Sequence, residues 1–140
     1  MKRILVGVDG SAESRKAAEY AAQLATATDS ALELVLVLPE IAYSSPGPYL
    51  TPQRWQEGRT DRAQMLLYEM SKSVPNPLTD VDTALLQGSP AHRLADEAKR
   101  DEIWLVVVGH RGRGAVERVL LGSVADRLTQ LSPKPVLVVR

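Results

Sequence analysis

Residues 103–123 read Ile-Trp-Leu-Val-Val-Val-Gly-His-Arg-Gly-Arg-Gly-Ala-Val-Glu-Arg-Val-Leu-Leu-Gly-Ser and combine a strand, a glycine-rich turn and a helix start. The unbroken apolar run 103–108 is typical of a strand buried on both faces of a parallel sheet. Gly109 and Gly112 follow it, and Gly122-Ser123 precedes the next helical pattern. Glycines let backbone N–H groups approach a ligand, and a helix start offers unpaired N–H groups and the positive end of its dipole. We interpret the stretch as a polyphosphate site, and hence a nucleotide site.

Familiar phosphate-binding motifs do not account for this segment. The chain has no Gly-Lys-Ser/Thr, so the P-loop lysine is missing. Gly112-Arg113-Gly114 begins a dinucleotide fingerprint, but Glu117 stands where its third glycine belongs. Simple loop geometry is the alternative interpretation, since strand-to-helix turns often use glycine. Arg111 and Arg113 would then be solvated loop charges instead of phosphate ligands.

Strand-like and helical patterns alternate along the 140 residues, which indicates a single-domain α/β fold with a parallel sheet. Ser11 is expected to cap the first helix and Pro90 to occupy the first turn of the third. Ser123 is expected to cap the fourth helix, with Asp126 as its capping-box partner. The predicted strands are 4–8, 32–38, 81–86, 103–108 and 135–139. Of the four predicted helices, the first begins after Ser11, the second spans 53–73, the third spans 90–100 and the fourth begins after Ser123.

Helical spacing of apolar residues predicts which faces of two helices are buried. The longer helix is expected to bury Met65, Leu66 and Met70, and to end before the prolines at 75 and 77. The segment 39–52, rich in Pro, Ser, Gly and Tyr, is too punctuated for regular structure. The first helix is expected to bury Ala17, Ala18, Ala21, Ala22, Leu24 and Ala25.

Composition excludes several classes of protein. Seventeen basic and seventeen acidic residues balance to zero net charge, which argues against a general nucleic-acid or membrane-surface binder. The absence of cysteine excludes disulfides, a thiolate nucleophile and a Cys-based zinc site. The first apolar run is too short for a signal peptide, and no run approaches the ~20 residues that span a bilayer. A cytoplasmic protein is expected.

Four motifs occur in order along the chain, namely Ile4-Leu5-Val6-Gly7-Val8-Asp9-Gly10-Ser11, Gly88-Ser89-Pro90, Gly109-x2-Gly112-x9-Gly122-Ser123 and Pro135-Val136-Leu137-Val138-Val139. With these motifs, the chain resembles the universal stress protein family of the ATP-binding type. The resemblance implies one open five-stranded parallel sheet of order 3-2-1-4-5, Rossmann-like and similar to the adenine nucleotide alpha hydrolases, with helices on both faces. That order places the ends of the first and fourth strands side by side at the switch point, where such sheets bind ligands.

The resemblance implies ATP or a related adenine nucleotide as ligand, with Mg²⁺ on its phosphates near Asp9. Asp9 is expected to contact the ribose, the base or the magnesium ion; its alternative role is a turn residue before Gly10. The resemblance also implies that the backbone of Val37 meets the adenine edge. The predicted nucleotide-binding residues are Gly7, Val8, Asp9, Val37, Val108, Gly109, Arg111, Gly112, Arg113, Gly122, Ser123 and Val124.

The leading functional expectation is a nucleotide-binding regulatory protein of a stress response. A weak ATPase, a self-phosphorylating or nucleotidyl-transferring enzyme, and an interaction module without nucleotide stay open as alternatives. His110 is titratable and lies in the predicted site, but no Gly-x-Ser-x-Gly nucleophile motif accompanies it. No catalytic residue and no protein-borne metal site is therefore predicted.

A homodimer is expected, because the last strand is apolar on both faces and an exposed apolar edge associates unless it is paired. The resemblance implies that this strand pairs with its twin across a two-fold axis. The alternative is that segment 39–52 or a neighbouring helix covers it within its own chain. A further, unidentified protein partner is compatible with a regulatory role, whereas nucleic acid and membrane are not expected. The predicted dimer contact comprises Val136, Leu137, Val138 and Val139.

Overall fold

The computed structural model of the chain describes residues 1–40, 52–74, 80–112 and 121–140. Strands and helices alternate through these residues as the sequence pattern predicts. The prolines at 75 and 77 and most of segment 39–52 lie outside the described residues. The elements are β1 (Arg3–Val8), α1 (Ala12–Ala27), β2 (Ala31–Leu38), α2 (Pro52–Ser73), β3 (Val81–Gln87), α3 (Pro90–Glu97), β4 (Ile103–Gly109), α4 (Ser123–Leu131) and β5 (Val136–Val139).

The strands form one five-stranded sheet in the order β3-β2-β1-β4-β5, and every neighbouring pair is parallel. The α/β fold and the strand order are therefore confirmed. The chain builds outward from β1 to β3 and then returns to add β4 and β5 on the other side. The order reverses between β1 and β4, where helices leaving adjacent strands diverge to opposite faces and leave a crevice at the carboxyl ends.

Each face of the sheet buries its own apolar cluster. Side chains alternate along a strand, so Ile4 and Val6 of β1 face α1 and α2, whereas Leu5 faces α3 and α4. β1 from Ile4 onward and β4 carry no charged side chain, because both of their faces are covered. Small alanines let α1 lie close to the sheet. Of its predicted face, Ala17, Ala18, Ala21, Ala22 and Ala25 are buried and Leu24 is partly buried.

The buried face of α2 differs from the predicted one. Met70 is 1% exposed as expected and Leu66 is partly buried, but Met65 is 59% exposed, so its prediction was wrong. Ala63 and Leu67 occupy the core instead. The residues 63, 67 and 70 follow i, i+4, i+7 spacing, and position 65 lies about 200° around the helix from 67. Among the described helices, none combines the length and apolar character that crossing a membrane requires.

Helix ends show which capping predictions hold. The Ser11 side chain accepts a hydrogen bond from the backbone N–H of Ser14 at 3.1 Å, which confirms it as the cap of α1. Pro90 occupies the first turn of α3, as predicted. This helix ends at Glu97 instead of continuing to Arg100, because the N–H of Arg100 bonds only three residues back, to Glu97.

A charged cluster occupies the opposite end of the sheet from the switch-point crevice. Glu33 of β2 is buried, and its carboxylate accepts a 2.6 Å hydrogen bond from Arg100 and lies 3.5 Å from Arg3. Arg3 also pairs with Asp82 of β3. Burial opposes the charge of Arg100, but its hydrogen bond to Glu33 and the Glu33 charge outweigh that effect and raise the pKa of its guanidinium. The buried glutamate is thus paired on two sides.

Candidate nucleotide-binding site

A cleft of about 1140 Å³ lies at the carboxyl ends of β1, β2 and β4. Strand ends form its floor, and the start of α4 and one face of α2 form its sides. Arg113 lies outside the described residues, so the structure does not address its predicted role. The other predicted residues all line this cleft, namely Gly7, Val8, Asp9, Val37, Val108, Gly109, Arg111, Gly112, Gly122, Ser123 and Val124.

Gly109 is required by the packing of a helix. A Cβ at this position would lie 2.9 Å from the carbonyl carbon and oxygen of Glu13, in the first turn of α1. The next residue, His110, donates its backbone N–H to the carbonyl of Val139 at 2.8 Å and so continues the β4–β5 ladder. From the sequence, we expected Gly109 to let a ligand approach the backbone. The structure instead shows that its missing side chain lets α1 close against the end of β4.

Asp9 and Gly112 meet across the switch point. The Oδ1 atom of Asp9 accepts a hydrogen bond from the N–H of Ser11 at 2.9 Å, and Gly10 has a φ of +85°, so Asp9 does form the predicted turn. The Oδ2 atom of Asp9 lies 2.6 Å from the point that a Cβ would occupy if residue 112 were not glycine. A side chain at 112 would therefore require this carboxylate to move. The turn role does not remove Asp9 from the cleft, which it also lines.

The start of α4 differs from the prediction in one respect. Gly122 is the N-cap, with φ −67° and ψ 160°, and no side chain caps the helix. The predictions of Ser123 as cap and Asp126 as its capping-box partner were therefore wrong. A Cβ on Gly122 would lie 3.1 Å from Cα of Arg111 and 3.2 Å from the carbonyl oxygen of His110, so a side chain there would require the turn after β4 to shift.

The cap geometry makes the first amides of α4 available to a ligand. Gly122 donates its own N–H to the carbonyl of His110 at 2.6 Å, which ties the helix start to the turn after β4. The first hydrogen bond within the helix runs from the N–H of Asp126 to the carbonyl of Gly122. The N–H groups of Ser123 and Val124 precede it, so they have no acceptor inside the helix, and both residues line the cleft.

The Arg111 side chain is held at the wall of the cleft. Its Nε donates to Nε2 of His110 at 3.0 Å, and its Nη2 lies 3.6 Å from a carboxylate oxygen of Glu13. In this contact Nε2 of His110 is the acceptor. His110 is therefore hydrogen-bonded to an arginine through its acceptor nitrogen, and not to a serine hydroxyl as a general base would be.

Sequence reasoning missed the contribution of α2. Arg59, Arg62 and Leu66 line the cleft beside the predicted residues. Leu66 lies against Gly10, where a Cβ would be only 2.8 Å from its side chain. Positions 59, 62 and 66 lie within four residues of Ala63 and on or beside the helix face that this residue buries. Helical spacing would have predicted these cleft residues only if the face containing Ala63 had first been recognised as the buried one.

The family of the chain follows from comparison with known proteins. Residues 1–140 match the family model described as the universal stress protein family. The chain belongs to this family. It is 37% identical over 142 residues to a universal stress protein of Mycolicibacterium smegmatis, covering 97% of this chain and 47% of that protein, so it spans about half of that relative. It is 31% identical over 142 residues to one of Methanocaldococcus jannaschii, covering 99% and 82%.

Solved structures of universal stress proteins share the fold. The one from Lactobacillus plantarum has a TM-score of 0.79 at 26% identity and covers 99% of this chain and 97% of its own. A complex with cAMP has a TM-score of 0.68 at 26% identity, covering 99% and 96%. More distant members, at 20% and 18% identity, are complexes of the Archaeoglobus fulgidus protein with dAMP and of an Arabidopsis thaliana protein with AMP. Structural relatives thus bind adenine nucleotides.

Proposed function

We propose that this universal stress protein binds an adenine nucleotide in the switch-point cleft and acts as a homodimeric regulatory module in a stress response. The observation that carries the proposal is the convergence of Gly109, Gly112 and the start of α4 on one cleft. These are the positions of the signature on which the family resemblance rests. The complexes of relatives with AMP, cAMP and dAMP support the class of ligand.

Each part of the nucleotide has a proposed partner in the cleft. The phosphates accept hydrogen bonds from the N–H groups of Ser123 and Val124, aided by the positive end of the α4 dipole. Arg111 adds a positive charge at the wall. Asp9 contacts the ribose, and the backbone of Val37 contacts the adenine edge. The floor is formed by Gly7, Val8, Val108, Gly109 and Gly112, and Arg113 remains a predicted phosphate contact outside the described residues.

Magnesium would be held mainly by the phosphates of ATP. The described residues contain no cluster of three or more His, Cys, Asp or Glu side chains suited to a metal ion. Asp9 is a hard oxygen donor lining the cleft, the kind of group that Mg²⁺ accepts alongside substrate phosphates and water. The residues therefore fit a magnesium ion that arrives with the nucleotide, and Asp9 is the carboxylate that would contact it.

Calorimetry tests nucleotide binding directly. Titration with Mg-ATP and with AMP should give saturable heats with a Kd of about 1 mM or tighter. Removing magnesium with a chelator should weaken the binding of ATP more than the binding of AMP, because the triphosphate then carries more uncompensated charge. Mass spectrometry of small molecules that co-purify with the protein would identify the preferred nucleotide. Folded protein that gives no heat with millimolar AMP or ATP would contradict the proposal.

The proposed dimer uses the outer edge of β5, which ends the sheet. The carbonyl of Pro135 accepts from the N–H of Val106 in β4, and that of Val139 from the N–H of His110 just after it, so the backbone groups of Val136 and Val138 point away from β4 by alternation. The side chains of β5 are partly buried against both core clusters. Neighbouring helices thus cover its faces in part, and the open feature is the backbone edge, which a twin strand would pair.

Val138→Pro tests this edge without removing a bond to β4. Proline lacks the N–H and is tolerated on edge strands, so the variant should fold but lose the pairing with its twin. Val138→Ala is the matched control, since it also shortens the side chain but keeps the N–H. Light scattering should report twice the 15.3 kDa chain mass for the wild type and the control, and a single chain mass for Val138→Pro. A folded Val138→Pro dimer would place the interface elsewhere.

A further inference from the structure

The cleft contains positive charges that the proposed nucleotide contacts do not use. Arg59 and Arg62 of α2 both line it. They are three residues apart on a helix, so their side chains leave the same face with Cβ atoms about 5–6 Å apart. Like charges at this spacing repel each other and slightly destabilise a helix. An anion bound between the two guanidinium groups would remove that repulsion.

Within the part of the chain that the structure describes, no carboxylate neutralises this pair. Among the described residues, neither Arg59 nor Arg62 forms an ion pair with an Asp or Glu side chain, although α2 itself carries Glu57 and Asp61. Arg111, which also lines the cleft, is by contrast paired with Glu13. The charge of the α2 pair is therefore available to a ligand.

Arg59 is oriented before any ligand binds. Its Nη2 donates to the carbonyl of Pro39 at 2.9 Å, and its guanidinium carbon lies 5.1 Å from the centre of the Trp55 ring. A guanidinium has five N–H donors in a fixed plane, so these contacts set its orientation and leave donors for a second acceptor. Planar paired donors match the oxygens of a phosphate. Arg62 is more exposed and can adjust to the same ligand.

The proposed phosphate-binding part of the cleft, here called the phosphate cradle, consists of the turn after β4 and the start of α4. The arginine pair lies on the opposite side of the cleft. Pro39, to which Arg59 bonds, follows β2, whereas the cradle follows β4, and β1 lies between these strands. Neighbouring strands are about 4.8 Å apart, so roughly 10 Å separates the two ends. The cleft of about 1140 Å³ is also larger than the roughly 300–1,000 Å³ typical of small-molecule sites. In the proposed binding mode, the arginines therefore face the nucleoside end.

We propose that the cleft prefers an adenine nucleotide that carries a second phosphate at its nucleoside end, held by Arg59 and Arg62. This inference rests on the proposed nucleotide-binding function. Two kinds of ligand supply the same chemistry: a nucleotide with a phosphate on the 2′ or 3′ oxygen of its ribose, and a dinucleotide whose second half extends past the ribose. In each, phosphate oxygens accept hydrogen bonds from the two guanidinium groups, while the first phosphate occupies the start of α4.

Calorimetry with the full chain separates these ligands. The probes are AMP, adenosine 3′,5′-bisphosphate, adenosine 2′,5′-bisphosphate and diadenosine tetraphosphate. At least one doubly phosphorylated probe should bind about tenfold more tightly than AMP, equivalent to about 1.4 kcal/mol. The probe that shows the gain identifies whether the second phosphate belongs to the ribose or to a second nucleotide. The Arg59→Gln/Arg62→Gln variant should bring all affinities to within about twofold of one another.

A charge-matched control excludes a general electrostatic effect. Lys16→Gln/Lys72→Gln also removes two positive charges at exposed helix positions, but neither lysine lines the cleft, so the tenfold preference should remain. If the wild type binds AMP but no doubly phosphorylated probe more tightly, the inference is wrong and the proposed function stands. An arginine variant that weakens AMP and the other probes equally also overturns it. Failure of folded wild type to bind AMP or ATP would instead reject the proposed function.

Discussion

Gly109→Ala should lower the free energy of unfolding by about 1–3 kcal/mol, the usual cost of overpacking a well-packed site. The added Cβ would lie 2.9 Å from the carbonyl carbon and oxygen of Glu13. These are backbone atoms of α1, so no side-chain rotation relieves the contact. The helix must move as a unit away from β4, which loosens the packing of its buried alanines. Urea denaturation measures the change as a lower midpoint.

Gly58→Ala is the matched control for this substitution. Gly58 lies within α2, and a Cβ there meets nothing within 4 Å. Alanine is favoured over glycine inside a helix by up to about 1 kcal/mol, so this variant should be slightly more stable than the wild type. If Gly109→Ala lowers the free energy of unfolding and Gly58→Ala raises it, the loss at Gly109 comes from the atoms around it and not from the change to alanine itself. A Gly109→Ala protein as stable as the wild type would mean that α1 adapts without cost.

Gly122→Val should reduce adenine-nucleotide affinity at least tenfold, or about 1.4 kcal/mol. The backbone of Gly122 has a φ of −67°, which valine adopts readily, so the effect comes from contact and not from backbone strain. Its Cβ would lie 3.1 Å from Cα of Arg111, and the two methyl groups extend further. The turn after β4 must then move away from the start of α4, which separates the two halves of the phosphate cradle.

Two further variants calibrate the Gly122→Val result. Gly122→Ala adds only the Cβ and should cause a smaller loss. Arg113→Ala removes one predicted loop charge, and we expect it to cost about 1 kcal/mol or less, the usual contribution of a charge that solvent screens. Calorimetry measures the affinities, and circular dichroism verifies that each variant is folded. If Arg113→Ala weakens binding more than Gly122→Val does, the site is a basic pocket instead of a cradle of backbone amides.

Local sequence pattern was sufficient for the fold class. The largely apolar runs at 4–8, 32–38 and 103–108 predict buried strands, because a strand covered on both faces is mostly apolar. Glu33 is the exception, and it is paired with Arg3 and Arg100. Ser11 predicts a helix start because its hydroxyl bonds to an amide three residues away. Both kinds of signal depend on residues that are near one another in the chain. The strand order was predicted from the family resemblance.

Details of the site depended on contacts between distant segments. Ser123 has the right residue type for a cap, but Gly122 is the cap: its N–H bonds to the distant turn at His110 and its carbonyl accepts the first hydrogen bond of the helix. Met65 has the right hydrophobicity for the core of α2, but the sheet contacts the face that contains Leu67. In both cases several positions satisfy the local rule equally, and packing selects among them.

By itself, the sequence determined that this protein alternates strands and helices and that glycines cluster after its fourth strand, since backbone conformation and local hydrogen bonding depend on nearby residues. Only the tertiary structure decided why those glycines are needed, because the neighbours of Gly109 and Gly112 are Glu13 and Asp9, about a hundred residues earlier in the chain. It also brought α2 and its arginines to the cleft. A side chain's long-range neighbours are set by how helices pack on the sheet, which no local pattern encodes.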